Sequence, residues 1–232
     1  MKVAILCGGK GTRLSEETRI RPKPLVEVGG EPILHHIMQS YKKFEFEDFC
    51  LATGYLGEQI QDLVNKNYQE ENITVINTGE NTLTGGRLLR LKNLLAKESV
   101  FMLTYGDGVC DVNIRELVEF HMAHGRIATV TAVRPPARFG VMKLDGDKVE
   151  YFQEKSQTDS GWINGGYFVF SSEIFNYLLD DSTVLEESPL QQLTLEGQLM
   201  AYKHEGFWQC MDTLRDKEFL DELCSQGKTP WL

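Results

Sequence analysis

The chain has 232 residues and is 41% hydrophobic, which is enough to bury one good core and favours a single α/β domain. Its net charge of −10 argues against nucleic-acid binding. No apolar run approaches the length of a membrane-spanning helix, and the first run is too short for a signal peptide, so we expect no membrane partner. Five cysteines without a C-x-x-C pair predict reduced thiols and a cytoplasmic location.

The first half of the chain alternates short apolar runs with amphipathic segments, which predicts a parallel sheet with crossover helices. The apolar runs predict strands over Lys2–Cys7, Phe49–Thr53, Ile73–Ile76, Val100–Tyr105 and Ala128–Val133. Helical spacing predicts a helix that starts near Pro32, followed by helices over Glu58–Val64, Leu88–Leu95 and Ile114–His124. A loop is predicted from Asn77 to Arg87.

The second half is richer in strands. It is predicted to contain a hairpin (Phe139–Leu144 and Val149–Glu154), a strand (Trp162–Phe170), two short helices (Glu173–Leu179 and Leu190–Leu195), a strand (Leu199–Lys203) and a closing helix (Leu214–Cys224). No repeat or linker interrupts the sequence. We therefore predict one domain over residues 1–232, with halves at 1–133 and 134–232.

A glycine-rich, cationic loop follows the first predicted strand. Gly8, Gly9 and Gly11 allow backbone N–H groups to approach phosphate oxygens closely. Arg13 adds a planar guanidinium that suits phosphate. Lys23 lies between two prolines, which keep the segment extended and present the ammonium from a stiff backbone. This combination predicts a pocket for a nucleoside triphosphate.

Two better-known phosphate motifs are excluded. The chain has no Gly-x-x-x-x-Gly-Lys-Ser/Thr string, so it has no P-loop. Leu14 stands where a dinucleotide-binding fingerprint needs its third glycine. A Rossmann oxidoreductase is therefore excluded as well.

Two aspartates are candidate metal ligands, because Mg²⁺ takes one or two carboxylates together with phosphate oxygens and water. Asp107 lies between two glycines at the carboxyl end of the strongest predicted strand, where ligands bind in open α/β sheets. The alternative is that Asp107 is an ordinary turn residue without a metal. Asp212 also follows a strand-like run, and its alternative role is the N-cap of the closing helix, which Thr213 could also fill.

Two further segments point to ligand contacts. Asn164, Gly165 and Gly166 interrupt an apolar strand, which indicates either the close approach of a ligand or a β-bulge. The segment Thr82–Arg87 precedes a predicted helix, so its backbone N–H groups could read the edge of a base. Arg87 or Arg90 could face the nucleotide.

The motif Gly8–Leu14, followed by Arg21-Pro22-Lys23-Pro24, resembles the signature of the sugar-phosphate nucleotidyltransferases. The resemblance implies a Rossmann-like α/β fold, with a mixed, mostly parallel central sheet flanked by helices and a small β-rich acceptor-binding part. It also implies a Mg²⁺-dependent reaction in which a sugar phosphate attacks a nucleoside triphosphate and pyrophosphate leaves. The first half would bind nucleotide and the second half the acceptor. Members of the family usually assemble, so a homo-oligomer is expected.

Carried onto this chain, the resemblance implies a specific set of site residues. The catalytic residues would be Arg13, Lys23 and Lys155. The nucleotide-binding residues would be Leu6, Gly8, Gly9, Gly11, Thr12, Arg13, Lys23, Thr84, Gly85, Gly86, Arg87 and Asp107. The acceptor-binding residues would be Glu154, Lys155, Asn164, Gly165 and Gly166. The Mg²⁺ ligands would be Asp107 and Asp212.

Within the family, Ser15-Glu-Glu-Thr18 and Thr104-Tyr-Gly-Asp-Gly108 resemble the branch that uses CTP and glucose 1-phosphate. This chain departs from that branch by lacking an insertion between its third strand and the base-reading loop. A shorter enclosure suits a smaller acceptor, so a phosphorylated polyol such as a glycerol phosphate is the rival acceptor. A non-catalytic relative is the other alternative. It is disfavoured because Arg13, Lys23, Asp107, Lys155 and Asp212 are all present.

Overall fold

The computed structural model describes residues 1–135, 141–153 and 161–232. In this part of the chain the strands are β1 (Lys2–Cys7), β2 (Glu27–Val28), β3 (Glu31–Pro32), β4 (Asp48–Thr53), β5 (Ile73–Asn77), β6 (Val100–Tyr105), β7 (Gly108–Cys110), β8 (Ala128–Val133), β9 (Val141–Asp145), β10 (Lys148–Gln153), β11 (Ile163–Ser171), β12 (Leu199–His204) and β13 (Trp208–Cys210).

The helices of the same residues are α1 (Ser15–Thr18), α2 (Ile33–Lys42), α3 (Gly57–Asn67), α4 (Thr84–Arg90), α5 (Lys92–Leu95), α6 (Ile114–His124), α7 (Ser188–Leu195) and α8 (Leu214–Ser225). Short 3-10 helices cover Thr12–Leu14, Lys23–Leu25 and Ser172–Tyr177. Among the described residues, no helix is long and apolar enough to cross a membrane.

Seven strands of the described chain form the central sheet, in the order β12-β8-β11-β6-β1-β4-β5. Every neighbouring pair is parallel except those of β11, which runs antiparallel to both β6 and β8. The sheet draws strands from both halves of the sequence, and β9 and β10 pair separately as a hairpin. The predicted α/β fold with a mixed, mostly parallel sheet is therefore confirmed.

Alternation along β1 shows how both faces of the sheet are covered. Val3 and Ile5 are fully buried on one face, in a core that includes residues of α2, α3, α6 and α8. Ala4 is fully buried on the other face, against residues of α4, α5 and α7. A strand buried on both faces reads as a continuous apolar run, which is why β1 was predictable from sequence.

Several predicted boundaries are correct, and several need correction. The bounds of β1, β6, α6 and β8 are those predicted. The helix predicted over Leu88–Leu95 begins at Thr84 and is two helices, α4 and α5. The segment predicted as the helix Glu173–Leu179 is a 3-10 helix. Pro32 caps α2 in an extended conformation instead of occupying its first turn.

Candidate active site

A cavity of about 670 Å³ opens where β1 and β6 end and β11 begins. Its walls come from the glycine loop, the segments that follow β5 and β6, the first residues of β11, and Asp212. Parallel strands place their carboxyl ends at one edge of a sheet, and ligands of open α/β sheets bind there. The topology therefore brings residues far apart in sequence to one site.

The glycine loop forms one wall of this cavity. Gly8, Gly9, Gly11 and Thr12 all line it, as does Leu6 from the end of β1. Gly11 has a left-handed backbone with φ of 61°. Its N–H and C=O groups are thereby turned in a direction that other residues rarely adopt.

The residue Thr18 fixes the shape of this loop. Its hydroxyl donates to the carbonyl oxygens of Gly11 at 2.9 Å and Leu14 at 3.0 Å. A Cβ at Gly11 would lie 2.7 Å from the Thr18 methyl carbon, so the loop closes tightly only with glycine at this position. Thr18 is the last residue of the Ser15–Thr18 motif, for which no structural role was predicted from sequence.

Four charged side chains meet beneath the glycine loop, and we call them the ionic cluster: Arg13, Lys23, Asp107 and Asp212. Lys23 Nζ lies 2.7 Å from Asp107 Oδ2 and 2.7 Å from Asp212 Oδ1. Arg13 Nη1 lies 2.7 Å from Asp212 Oδ2. These residues come from widely separated segments, and the fold unites two of the three predicted catalytic cations, Arg13 and Lys23, with both predicted metal ligands.

Members of the ionic cluster differ in their exposure to solvent. The Lys23 side chain is 9% exposed, whereas the Arg13 side chain is 72% exposed. Burial disfavours the Lys23 charge, but the nearby carboxylates outweigh burial and raise its pKa. Burial likewise opposes the charge of Asp212, but Lys23 and Arg13 prevail and lower its pKa. Lys23 is thus a fixed cation, and Arg13 has room to turn toward a ligand.

The two carboxylates form a donor set that fits a hard divalent cation. Ligand atoms of Asp107, Asp212 and Cys210 lie within 4.8 Å of one another. Carboxylate oxygens suit Mg²⁺, whereas a thiol does not, and burial raises the pKa of Cys210 so that it stays protonated. Asp107 and Asp212 are therefore the residues that could hold the ion.

The alternative role of Asp212 as a helix cap is not observed. Thr213 caps α8, since its hydroxyl accepts from the Asp216 N–H and the Asp216 side chain accepts from the Thr213 N–H. The Asp212 carboxylate does not cap α8, and its oxygens accept hydrogen bonds from Arg13 and Lys23.

Arg87 reaches the cavity wall, but its guanidinium is enclosed by protein oxygens that we call the carbonyl cage. Nη1 donates to Thr53 O (3.0 Å), Gly79 O (2.8 Å) and the Thr78 hydroxyl (2.7 Å), and Nη2 donates to Gly8 O (2.9 Å). Burial lowers the pKa of Arg87. This cation joins the ends of β1, β4 and β5.

The hydrogen bonds of Arg87 in this structure are directed at the protein, although Arg87 also lines the cavity. Its contact with the nucleotide stays a prediction. Arg90 lies outside the described cavity lining and pairs with Asp181.

The expectation that Gly85 and Gly86 read a base through their N–H groups is wrong for this structure. Both N–H groups donate to Thr183 O, at 2.9 and 3.1 Å. A Cβ at Gly86 would lie 2.5 Å from Asp181 O, so the segment around residues 181–183 covers these glycines. Neither glycine is part of the described cavity lining, whereas Thr84 is.

The opposite wall of the cavity contains Asn164, Gly165 and Gly166. The pairing of β11 with β8 shifts register between Asn164 and Phe168, so the predicted bulge is present. Gly166 has φ of 80°, and a Cβ there would lie 2.5 Å from the Tyr105 ring. The bulge and the predicted contact with a ligand are thus compatible, because the bulge turns this segment into the cavity.

Two predicted residues, Glu154 and Lys155, lie outside the described residues, so their roles stay predictions. Tyr105 and Trp208 are among the described lining residues for which no role was predicted from sequence. Tyr105 ends β6 directly before the Gly106-Asp107 turn, and Trp208 donates from Nε1 to Gly165 O at 2.7 Å. The position of Tyr105 beside Asp107 was a signal that could have been used.

The fold and the site define a nucleotidyltransferase. The family model described as nucleotidyl transferase matches residues 2–213, and the chain belongs to this family. The chain is 43% identical to glucose-1-phosphate cytidylyltransferase of Salmonella typhi over 253 aligned positions, covering 100% of this chain and 98% of that one.

Two other proteins are also similar to this chain. The mannose-1-phosphate guanylyltransferase catalytic subunit beta of Danio rerio is 34% identical over 97% of this chain and 64% of its own length. The crystal structure of HddC from Yersinia pseudotuberculosis complexed with GMP-PN matches with a TM-score of 0.76 and 25% identity, covering 95% of this chain and 98% of that one.

Proposed function

We propose that this protein transfers a cytidylyl group from CTP to α-D-glucose 1-phosphate, which yields CDP-glucose and pyrophosphate. The observation that carries the proposal is the 43% identity to a glucose-1-phosphate cytidylyltransferase along the full length of both chains. The ionic cluster supplies the charges that this chemistry needs, at the cavity that the fold provides.

The reaction is an in-line substitution at phosphorus. An oxygen of the acceptor phosphate attacks the α-phosphorus of CTP and forms a new P–O bond. The bond from the α-phosphorus to the bridging oxygen breaks, and pyrophosphate leaves with that electron pair. No protein nucleophile is needed, so the enzyme acts by positioning the substrates and stabilising charge.

Each member of the site has a role in this scheme. The glycine loop would hold the β- and γ-phosphates through backbone N–H groups. Lys23, which is fixed and cationic, would stabilise charge on the α-phosphate. Arg13, which is exposed, would turn from Asp212 to the leaving pyrophosphate. Lys155 would pair with the acceptor phosphate, and Asn164 would contact the acceptor.

A divalent cation completes the charge balance in our proposal. Asp107 and Asp212 would hold Mg²⁺, and the bound ion would supply positive charge to the phosphates of the nucleotide. The protein groups then have to neutralise only the remaining negative charge.

One observation favours a second acceptor. The alignment with the Salmonella typhi enzyme spans 253 positions, 21 more than the 232 residues of this chain, so part of that enzyme has no counterpart here. In this chain β5 ends at Asn77 and α4 begins at Thr84, so the connection from the third strand of the sequence to the base-reading loop is short. A small phosphorylated polyol, such as a glycerol phosphate, is therefore the competing acceptor.

Pyrophosphate release tests the proposal. The protein is incubated with Mg²⁺ and CTP, and with glucose 1-phosphate, other hexose 1-phosphates or glycerol phosphates in turn, with UTP and dTTP replacing CTP as controls. Release with CTP and glucose 1-phosphate is expected. Release with a glycerol phosphate and with no sugar phosphate would mean that the acceptor is the polyol phosphate instead of glucose 1-phosphate. No release with any acceptor, despite CTP binding, would favour the non-catalytic relative.

A further inference from the structure

Glu186 lies behind the cavity, at the junction of its two walls. It is half-buried and is not among the described residues that line the cavity. Its chain segment covers the start of α4, where Leu83 N–H donates to Asp181 O and Gly85 N–H donates to Thr183 O. The Glu186 carboxylate therefore approaches the site from outside.

Two hydroxyl groups from opposite walls converge on this carboxylate. The Thr84 hydroxyl, on the nucleotide side, donates to Glu186 Oε2 at 2.6 Å. The Tyr105 hydroxyl, on the acceptor side, donates to Glu186 Oε1. Burial and the neighbouring Glu186 carboxylate raise the pKa of Tyr105, which keeps its hydroxyl protonated as a donor.

The hydrogen bonds continue to the acceptor wall. Asn164 Nδ2 donates to Tyr105 Oη at 3.1 Å, and Asn164 Oδ1 accepts from the Gly166 N–H at 2.8 Å. On the other branch, the Leu185 N–H donates to Thr84 Oγ1 at 2.9 Å. The chain of hydrogen bonds from Gly166 to Glu186 thus passes through Asn164 and Tyr105.

The directions of these bonds depend on the negative charge of Glu186. An ionised carboxylate only accepts, so both hydroxyls can give it their hydrogens. The Tyr105 oxygen is then left to accept from Asn164, which fixes the amide with its oxygen toward Gly166. The second Nδ2 hydrogen of Asn164 remains for an oxygen of a ligand.

We propose that Glu186 is a positioning residue that orients Asn164 toward the acceptor through Tyr105. The inference rests on the proposed function, in which Asn164 contacts the acceptor. A glutamine at position 186 would accept from only one of the two hydroxyls and would donate toward the other. If the Tyr105 hydroxyl met that donor, its hydrogen would turn toward Asn164, whose amide would lose its orientation.

Steady-state kinetics of Glu186→Gln tests this inference. We expect the KM for the acceptor to rise about tenfold, the size of one lost hydrogen bond, while kcat and the KM for CTP change less than about threefold. Glu187→Gln is the matched control, because Glu187 is the adjacent exposed glutamate. An acceptor KM in Glu186→Gln equal to that of the control would overturn the proposal.

A double-mutant cycle with Tyr105→Phe separates positioning from general destabilisation. If Glu186 acts through the Tyr105 hydroxyl, Glu186→Gln adds no further rise in acceptor KM once Tyr105 is phenylalanine. Two effects that multiply in the double variant would contradict this route.

The same four proteins, wild type included, keep the proposal testable should the proposed function fail. Their urea unfolding midpoints need no substrate, and we expect the shift of the double variant to be smaller than the sum of the single shifts. Additive shifts would refute the contact between Glu186 and Tyr105. If the wild type is inactive with CTP and glucose 1-phosphate but the midpoint shifts of the variants are non-additive, the result counts only against the proposed function.

Discussion

Two buried cations in the same cavity wall are held by very different partners. Lys23, in the ionic cluster, contacts the carboxylates of Asp107 and Asp212. Arg87, in the carbonyl cage, contacts main-chain carbonyl oxygens of β-strand ends and one hydroxyl. Carboxylates can exchange a lysine for a metal ion, whereas carbonyl oxygens are fixed by the sheet. The partners of a buried cation thus distinguish one that a ligand could displace, such as Lys23, from one that the fold holds in place, such as Arg87.

The largest expected effect is on catalysis, from Lys23→Ala. Loss of an ammonium that stabilises developing charge lowers kcat on the order of 10²–10³-fold in a protein that still folds. Asp107→Ala is expected to act in the same way. Lys97→Ala removes an exposed lysine and serves as the control. Wild-type turnover in Lys23→Ala would break the assignment of the ionic cluster to the chemistry.

Arg87→Lys should act on stability first. A lysine cannot donate in the planar fork that Arg87 uses, so buried carbonyl oxygens lose partners and the free energy of unfolding falls by about 2–3 kcal/mol. Arg90→Lys is the matched control on the same helix, since exposed ion pairs contribute about 0–1 kcal/mol. Urea denaturation measures both. Equal unfolding free energies for Arg87→Lys and Arg90→Lys would mean that the carbonyl cage does not hold the strand ends.

Two glycine variants test whether the position of the Arg87 guanidinium is fixed by its surroundings. A Cβ at Gly8 would lie 2.0 Å from Arg87 Nη1, whereas a Cβ at Gly9 would have no atom within 4 Å. We expect Gly8→Ala to displace Arg87 and lower the unfolding free energy by about 2 kcal/mol, and Gly9→Ala to change it by less than about 0.5 kcal/mol. Thermal unfolding of the two proteins side by side checks this, and similar melting temperatures would count against it.

Metal binding without nucleotide tests whether a metal ion can replace the Lys23 ammonium at the carboxylates of Asp107 and Asp212. Lys23 Nζ occupies the space between the two carboxylates, so Mn²⁺ should bind the nucleotide-free wild type weakly. Lys23→Ala frees those oxygens, and its Mn²⁺ affinity should be about tenfold higher, as the loss of a competing cation predicts. The electron paramagnetic resonance signal of free Mn²⁺ measures this, with Lys97→Ala as the reference. Equal affinities would contradict competition between lysine and metal.

The smallest effect concerns acid pH. The pKa of Asp212 is lowered in the folded protein, so its ionised form contributes stability above the ordinary aspartate pKa of 3.8 and loses it as pH falls through the folded value. The stability difference between wild type and Asp212→Asn should therefore shift against wild type below about pH 4. Urea unfolding measures this difference at each pH. A difference that does not change with pH would mean that the ion pairs of Asp212 do not stabilise the protein.

Local patterns in the sequence predicted much of the fold. The apolar run of β1 and the helical spacing of α6 specify their own elements, and both boundaries are correct. Short strands were missed, such as β7 and β13, because each of these has three residues and exists only through pairing with the other about one hundred residues away. Strands of that length leave no periodic signal.

The site was predictable where a residue's chemistry is local and not where it depends on distant partners. The glycine loop and Asp107 lie where the motif and the strand end put them. The interpretation of Gly85 and Gly86 failed, because a segment near residue 183 takes up their N–H groups. The surroundings of Arg87 were not predictable either, since nothing in the adjacent sequence reveals that the ends of β1, β4 and β5 will enclose its guanidinium.

The reversed strand β11 has one further consequence. Because it is antiparallel to β8, with Ile163 opposite Val133, the chain leaves the sheet after β8 and re-enters it at the same edge. Residues between these strands can be gained or lost without disturbing the register of the parallel strands. In evolutionary terms, this connection is a place where the chain can lengthen or shorten while the parallel strands, and the residues at their carboxyl ends, are inherited unchanged.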